Sequence, residues 1–149
     1  MNVGQFSRFV FSIVILSIGS LLLNCNGSSG DGGFAPIITD VRLYNANEPY
    51  TPTYSFDIGD EGNIEVDVTD QDSDITTLWS SEYFPSDSTT PYNGPIEFPL
   101  PSQSGVDMTY SFIDPLTIEG PAGNWRMEFQ IEDAQGNKSN VFTVYCVVH

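Results

Sequence analysis

Histidine, cysteine and basic side chains are scarce in this chain: one His, two Cys, and four Lys and Arg together against 20 Asp and Glu in 149 residues. Each shortage closes off some chemistry. His149 is the terminal residue, where chains commonly fray, so no positioned His is available to activate a Ser nucleophile. One His and two widely separated cysteines, Cys25 and Cys146, cannot assemble a zinc site. A net charge of −16 repels phosphate backbones and argues against nucleic acid as a partner. Anionic headgroups are repelled as well, so membrane attachment needs a separate cause. Two carboxylates suffice for glycoside hydrolysis. Among 20 acids, however, finding some pair carries little information, so the chain reads as a non-enzyme with an acid-pair hydrolase as a distant alternative.

Only one long apolar run is present. Residues 9–23, FVFSIVILSIGSLLL, carry no charge and follow Arg8, which is the pattern of a secretory leader. The run is shorter than the roughly 20 apolar residues of a spanning helix and is interrupted by Ser12, Ser17, Gly19 and Ser20. No alanine occurs before Ala35, so the usual Ala-x-Ala cleavage signal is missing. Instead the run ends in Leu22-Leu23-Asn24-Cys25, which resembles the lipobox of bacterial lipoproteins. Asn24 stands where Gly, Ala or Ser is usual, and looser versions of the motif, such as those of spirochaetes, admit it. The resemblance implies that Cys25 is diacylated and becomes the mature N-terminus. Two acyl chains anchor a protein stably. Residues 26–33, NGSSGDGG, read as a flexible tether. Asn26, rather than Asp, after the cysteine points to the outer membrane or cell surface over the inner membrane.

Past Phe34 the composition shifts to β-branched and aromatic residues separated by turn signals, with no sustained helical period. Period-two alternation marks residues 63–69, 106–112 and 125–131 as half-buried strands. Residues 37–44 read as the first strand and 75–79 as a middle one. Residues 141–148 are apolar on both faces apart from Thr143, which predicts a central or covered strand. Within it Cys146 shares the more apolar face and is expected to be a buried free thiol rather than the disulfide partner of Cys25. Residues 80–104 hold five of the ten prolines and predict an edge or a long excursion. These features specify an all-β, antiparallel sandwich of about seven strands. The domains are 1–24, signal peptide; 25–34, tether; and 35–149, sandwich.

The opening Ala35-Pro36-Ile37, the acidic turn and the closing hairpin sequence EDAQGNKS over residues 132–139 resemble bacterial immunoglobulin-like and cadherin-like modules of surface proteins. That resemblance implies a non-catalytic extracytoplasmic role in binding, adhesion or envelope structure, with an extracellular protein or glycan as partner. Asp70, Asp72 and Asp74 alternate where a strand ends, and convergent carboxylates suit calcium. Ile75 and Ser81 occupy the positions where an EF-hand loop needs Gly and Glu, so this is not an EF-hand. By the cadherin-like analogy Asp133 would join the three acids. Turn formation accounts for the same residues. Asp57, Asp60 and Glu61 form a second acidic group. No cofactor is required, calcium being the one candidate, and a calcium-stabilised carbohydrate- or protein-binding module is the alternative function. Trp79 and Trp125 are expected in the core. Tyr83, Phe84 and Tyr92 in the proline-rich stretch are the candidate ligand-binding residues.

Overall fold

The computed structural model describes residues 33–149, except for the side chains of 113–116; the leader, Cys25 and most of the tether lie outside the described residues. Eight strands follow in order: β1 (Ile37–Asn45), β2 (Ser55–Phe56), β3 (Glu61–Thr69), β4 (Ile75–Tyr83), β5 (Asn93–Pro99), β6 (Asp107–Thr117), β7 (Gly123–Asp133) and β8 (Phe142–Val148). They form a three-stranded sheet, β1-β3-β6, and a five-stranded sheet, β2-β8-β7-β4-β5. Every pairing is antiparallel except the two-residue β2, which runs parallel to β8.

Alternation dictates which residues meet between the sheets. In β3, Ile64, Val66 and Val68 turn inward while Glu65, Asp67 and Thr69 turn out. In β7, Trp125, Phe129 and Ile131 are buried, and Val66, Phe129 and Ile131 have no solvent exposure. Leu78, Tyr110, Val144, Cys146 and Val148 complete one contiguous core. Cys146 is a free, buried thiol, as its position on the apolar face predicts.

Two expectations, for Trp79 and His149, are corrected. Trp79 faces outward rather than into the core, because the register shift between Ile75 and Thr77 leaves Leu78 and Ser80 as the inward residues. Lys138 Nζ lies 5.2 Å from the Trp79 ring centroid, and the indole Nε1 donates to Glu132 at 3.2 Å. Strand β8 is central, between β2 and β7, one of the two placements its apolar content predicts, and Tyr145 is 62% exposed on its outer face. His149 is tied down: its N–H donates to the Phe56 carbonyl at 2.9 Å, and its ring lies 3.0 Å from Ser55 Oγ.

Edge strands β5 and β1 are blunted. Pro95 and Pro99 sit in edge strand β5. The side-chain amide of Asn140 accepts from Ile38 N–H at 3.0 Å and donates to its carbonyl at 3.3 Å, imitating a strand against β1. Further along β1, Thr53 N–H donates to the Leu43 carbonyl. The opposed orientations of Phe129 and Tyr145 predict that Phe129→Ala costs about 3–5 kcal/mol in urea unfolding. Tyr145→Ala is expected to stay within about 0.5 kcal/mol of the parent.

Candidate functional site

The acidic turn at residues 70–74 folds onto the closing hairpin. Asp70, 1% exposed, accepts the Asp74 N–H on Oδ2 at 3.0 Å and donates its own N–H to the Val106 carbonyl at 2.7 Å. Ser73 adopts φ 56°, and its hydroxyl donates to the Gly105 carbonyl at 2.7 Å. The two segments meet where Ala134 N–H donates to the Asp74 carbonyl at 3.0 Å. Asp133, 2% exposed, accepts from Gln135 N–H and Asn137 N–H on Oδ1 and from Asn137 Nδ2 on Oδ2. Asp72 Oδ2 accepts the N–H of Phe34 at 2.8 Å. Three of the four carboxylates thus act as turn and chain caps, the role short polar side chains commonly take.

Two oxygens do not fit that account. Asp70 Oδ1 and Asp74 Oδ1 are buried and without a hydrogen-bond partner. Burial, followed by the neighbouring charges of Asp74 and Asp72, overcomes the backbone hydrogen bonds and raises the Asp70 pKa. Nearby Tyr110 is pushed up to about 12 by burial and by the Asp70 charge. Among the described residues, no three His, Cys, Asp or Glu side chains are grouped so as to hold a metal ion.

The ligand-binding candidates separate. Tyr83 lies on the outer face of the larger sheet beneath Arg126, whose Cζ is 4.0 Å from the ring centroid. Phe84 and Tyr92 instead gather around the buried Trp125, each with its ring centroid 5.0 Å from that of the indole. The Tyr92–Trp125 contact is edge-on, and Phe84 is partly buried, so the trio is not a flat platform for a sugar ring. Close approach here depends on two glycines: a Cβ at Gly120 would fall 2.8 Å from Trp125, and one at Gly123 2.9 Å from Phe84. Both have positive φ, which favours glycine independently. Arg126 pins the excursion by donating to the carbonyls of Ser86 and Ser88. Its Nε is 3.2 Å from Glu128 Oε1, a charge contact without hydrogen-bond alignment.

The sequence reading did not single out two further groups. On the outer face of the smaller sheet, Arg42 binds Asp67 at 2.6 Å and Asp40 at 2.7 Å, with Glu65 at 3.4 Å. The hydrogen bond to Asp67 raises the Arg42 pKa despite partial burial. Burial by itself would raise Asp67, but hydrogen bonds from Arg42 and Thr109 and the Arg42 charge bring it down. The other group is Glu82, whose Oε2 accepts from Asn93 Nδ2 at 3.3 Å and whose pKa is raised by burial. Cys146 is pushed up to about 11 by burial and the Glu82 charge, which keeps the thiol protonated and inert.

A carboxyl whose pKa is higher folded than unfolded destabilises the fold above its folded value, and the penalty disappears as pH falls through that value. Asp70→Asn can still accept from Asp74 N–H without bringing a buried charge. With chelator at pH 7 it is expected to raise the melting temperature by on the order of 4 °C. That advantage shrinks as the pH is lowered toward the ordinary carboxylate range; a lower melting temperature at pH 7 would contradict this account.

No protein-family model and no curated protein sequence matches the chain. Solved structures do. A Niemann-Pick type C2 protein from the Japanese carpenter ant aligns with a TM-score of 0.50 at 14% identity, over 81% of this chain and 98% of that one. The PKD domain of a peptidase from a Thermoplasmatales archaeon aligns with a TM-score of 0.43 at 16% identity, over 78% of this chain and 98% of that one. At such identities the likeness speaks to architecture alone. Together with the two-sheet topology, it identifies the described domain as an immunoglobulin-like β-sandwich.

Proposed function

We propose that the chain is an extracytoplasmic lipoprotein, held to a membrane by lipid on Cys25, whose immunoglobulin-like domain serves a non-catalytic binding, adhesion or envelope-structural role. The observation that carries this reading is the charge-free run of residues 9–23 ending at Leu22-Leu23-Asn24-Cys25, followed at once by a Gly- and Ser-rich tether. The acidity of the domain supports it, because a surface of that sign does not adhere to anionic lipid unaided. Asn26 favours the outer membrane or cell surface. When the full chain is expressed in a bacterium, the mature N-terminus is expected at Cys25 and to carry acyl chains by mass spectrometry. Cys25→Ser is expected to release the protein from the membrane fraction. An unmodified cysteine in a membrane-retained chain would overturn the anchor.

A second reading, calcium-dependent stability, draws on the two unpartnered buried oxygens of Asp70 and Asp74. A melting temperature that rises between chelator and millimolar calcium, with the rise lost in Asp70→Asn, is the expected outcome of that reading. An unchanged value removes it.

A further inference from the structure

The chain enters the described domain at a fixed point. Gly33 lies between the acidic turn and the closing hairpin, where a Cβ would fall 2.8 Å from Asp72 Oδ2 and 3.1 Å from Gln135 Oε1. Phe34 then donates its N–H to Asp72, Pro36 is fully buried, and Ile37 opens β1 opposite Thr69. Held at each of these points, the segment does not fray, so the fold itself turns its apolar side chains outward. Phe34 is 64% exposed and Ile37 53%.

Two more apolar side chains stand out on segments bonded to this one. Val106, 49% exposed, accepts the Asp70 N–H on its carbonyl and precedes Asp107, which flanks Thr69 on the side away from Ile37. Val141, 53% exposed, follows Asn140, whose side-chain amide bonds Ile38. Exposed apolar surface at the opposite end is of another kind. There Tyr50, Tyr54 and Tyr92 each carry a hydroxyl that water can bond, and only Ile58 does not. The four side chains near the chain entry are all hydrocarbon. Hydrocarbon grouped in this way marks a contact surface.

The length of the tether says what lies nearest to that surface. Only residues 26–33 separate Cys25 from Phe34. An extended chain gains at most about 3.6 Å per residue, which keeps Phe34 within roughly 30 Å of Cys25. For a flexible coil of this length the average separation is roughly 15 Å. We propose that Phe34, Ile37, Val106 and Val141 rest on the bilayer that holds Cys25, and that the lipid they meet is zwitterionic. The inference rests on the lipid anchor proposed above and names the surface on which the domain sits. Four half-exposed side chains are too few to bind a membrane from solution. Once the anchor makes the contact intramolecular, they suffice. Charge selects the lipid: the exposed Asp72 and Asp107 flank the hydrocarbon. Their carboxylates meet the outward ammonium groups of phosphocholine or phosphoethanolamine, whereas an anionic headgroup repels them.

The test uses the full-length chain in phosphatidylcholine vesicles, with acylation of Cys25 read by mass. A nitroxide label is attached at Val106→Cys and, in a separate sample, at Tyr50→Cys. Cys146 is buried and kept protonated, and the Cys25 sulfur carries lipid, so only the introduced thiol reacts. Collisions with a neutral, water-soluble nickel chelate are expected to be at least about threefold rarer at Val106 than at Tyr50. Adding Phe34→Ser/Ile37→Ser is expected to bring the Val106 label to within about twofold of Tyr50, with an unchanged melting temperature. Replacing phosphatidylcholine by phosphatidylglycerol is expected to raise nickel collisions at Val106 as well. Ile58→Ser, at the opposite end, is expected to leave them unchanged. In an acylated chain, equal collisions at Val106 and Tyr50, or no response to Phe34→Ser/Ile37→Ser, would overturn the contact and leave the anchor standing. Absence of acyl chains would overturn the anchor, and the contact with it. Protection of Val106 that disappears when the protein is diluted in excess lipid would place a second copy on this face, which also overturns the proposal.

Discussion

The inward faces of β3 and β7 hold this domain together. Val66 in the smaller sheet and Phe129 and Ile131 in the larger one are sealed from solvent, and each belongs to a strand hydrogen-bonded on both sides. Because side chains alternate along a strand, fixing these three inward fixes Asp67, Glu128 and Gln130 outward. A one-residue slip in either strand would exchange a dry core for a layer of carboxylates. Register is therefore strongly specified at the centre, and the acidic surface is the other face of the same constraint.

Where alternation governs, the sequence was readable. Strands β3, β6 and β7 were legible from period-two patterns, and β8 from its apolar content. Strand β2 was not, because two residues pairing in parallel with β8 set no period. Strand β5 was concealed by Pro95 and Pro99, which an edge tolerates and a central strand would not. Trp79 was misplaced since a local register shift, invisible in sequence, changes which residues of β4 point inward. The acidic turn was legible at Asp70–Asp74 and Asp133, whereas its contacts with Phe34, Gly105 and Val106 come from distant parts of the chain. Tyr83 was grouped with Phe84 and Tyr92 by proximity in sequence, and the end of a strand separates them.

The two ends of the sandwich differ in kind. At the end where the described chain begins, carboxylates are engaged: Asp72 caps Phe34, and Asp133 organises the closing hairpin. At the other end, Asp60 organises a turn and Tyr92 packs against Phe84 and Trp125, whereas Tyr50 is almost wholly exposed. The sheets supply rigidity between them, with Asn140 closing β1 and the His149 contacts closing the C-terminus.

Native-state amide hydrogen exchange tests this division most directly. The account predicts the slowest exchange at Val66, Phe129 and Ile131. It predicts intermediate protection at Asp74, Gln135 and Asn137, whose N–H groups donate to buried carboxylates, and rapid exchange at Tyr50 and Thr89 in the distal loops. Protection of Tyr50 matching that of the core, or exchange at Phe129 as fast as in the loops, would contradict it.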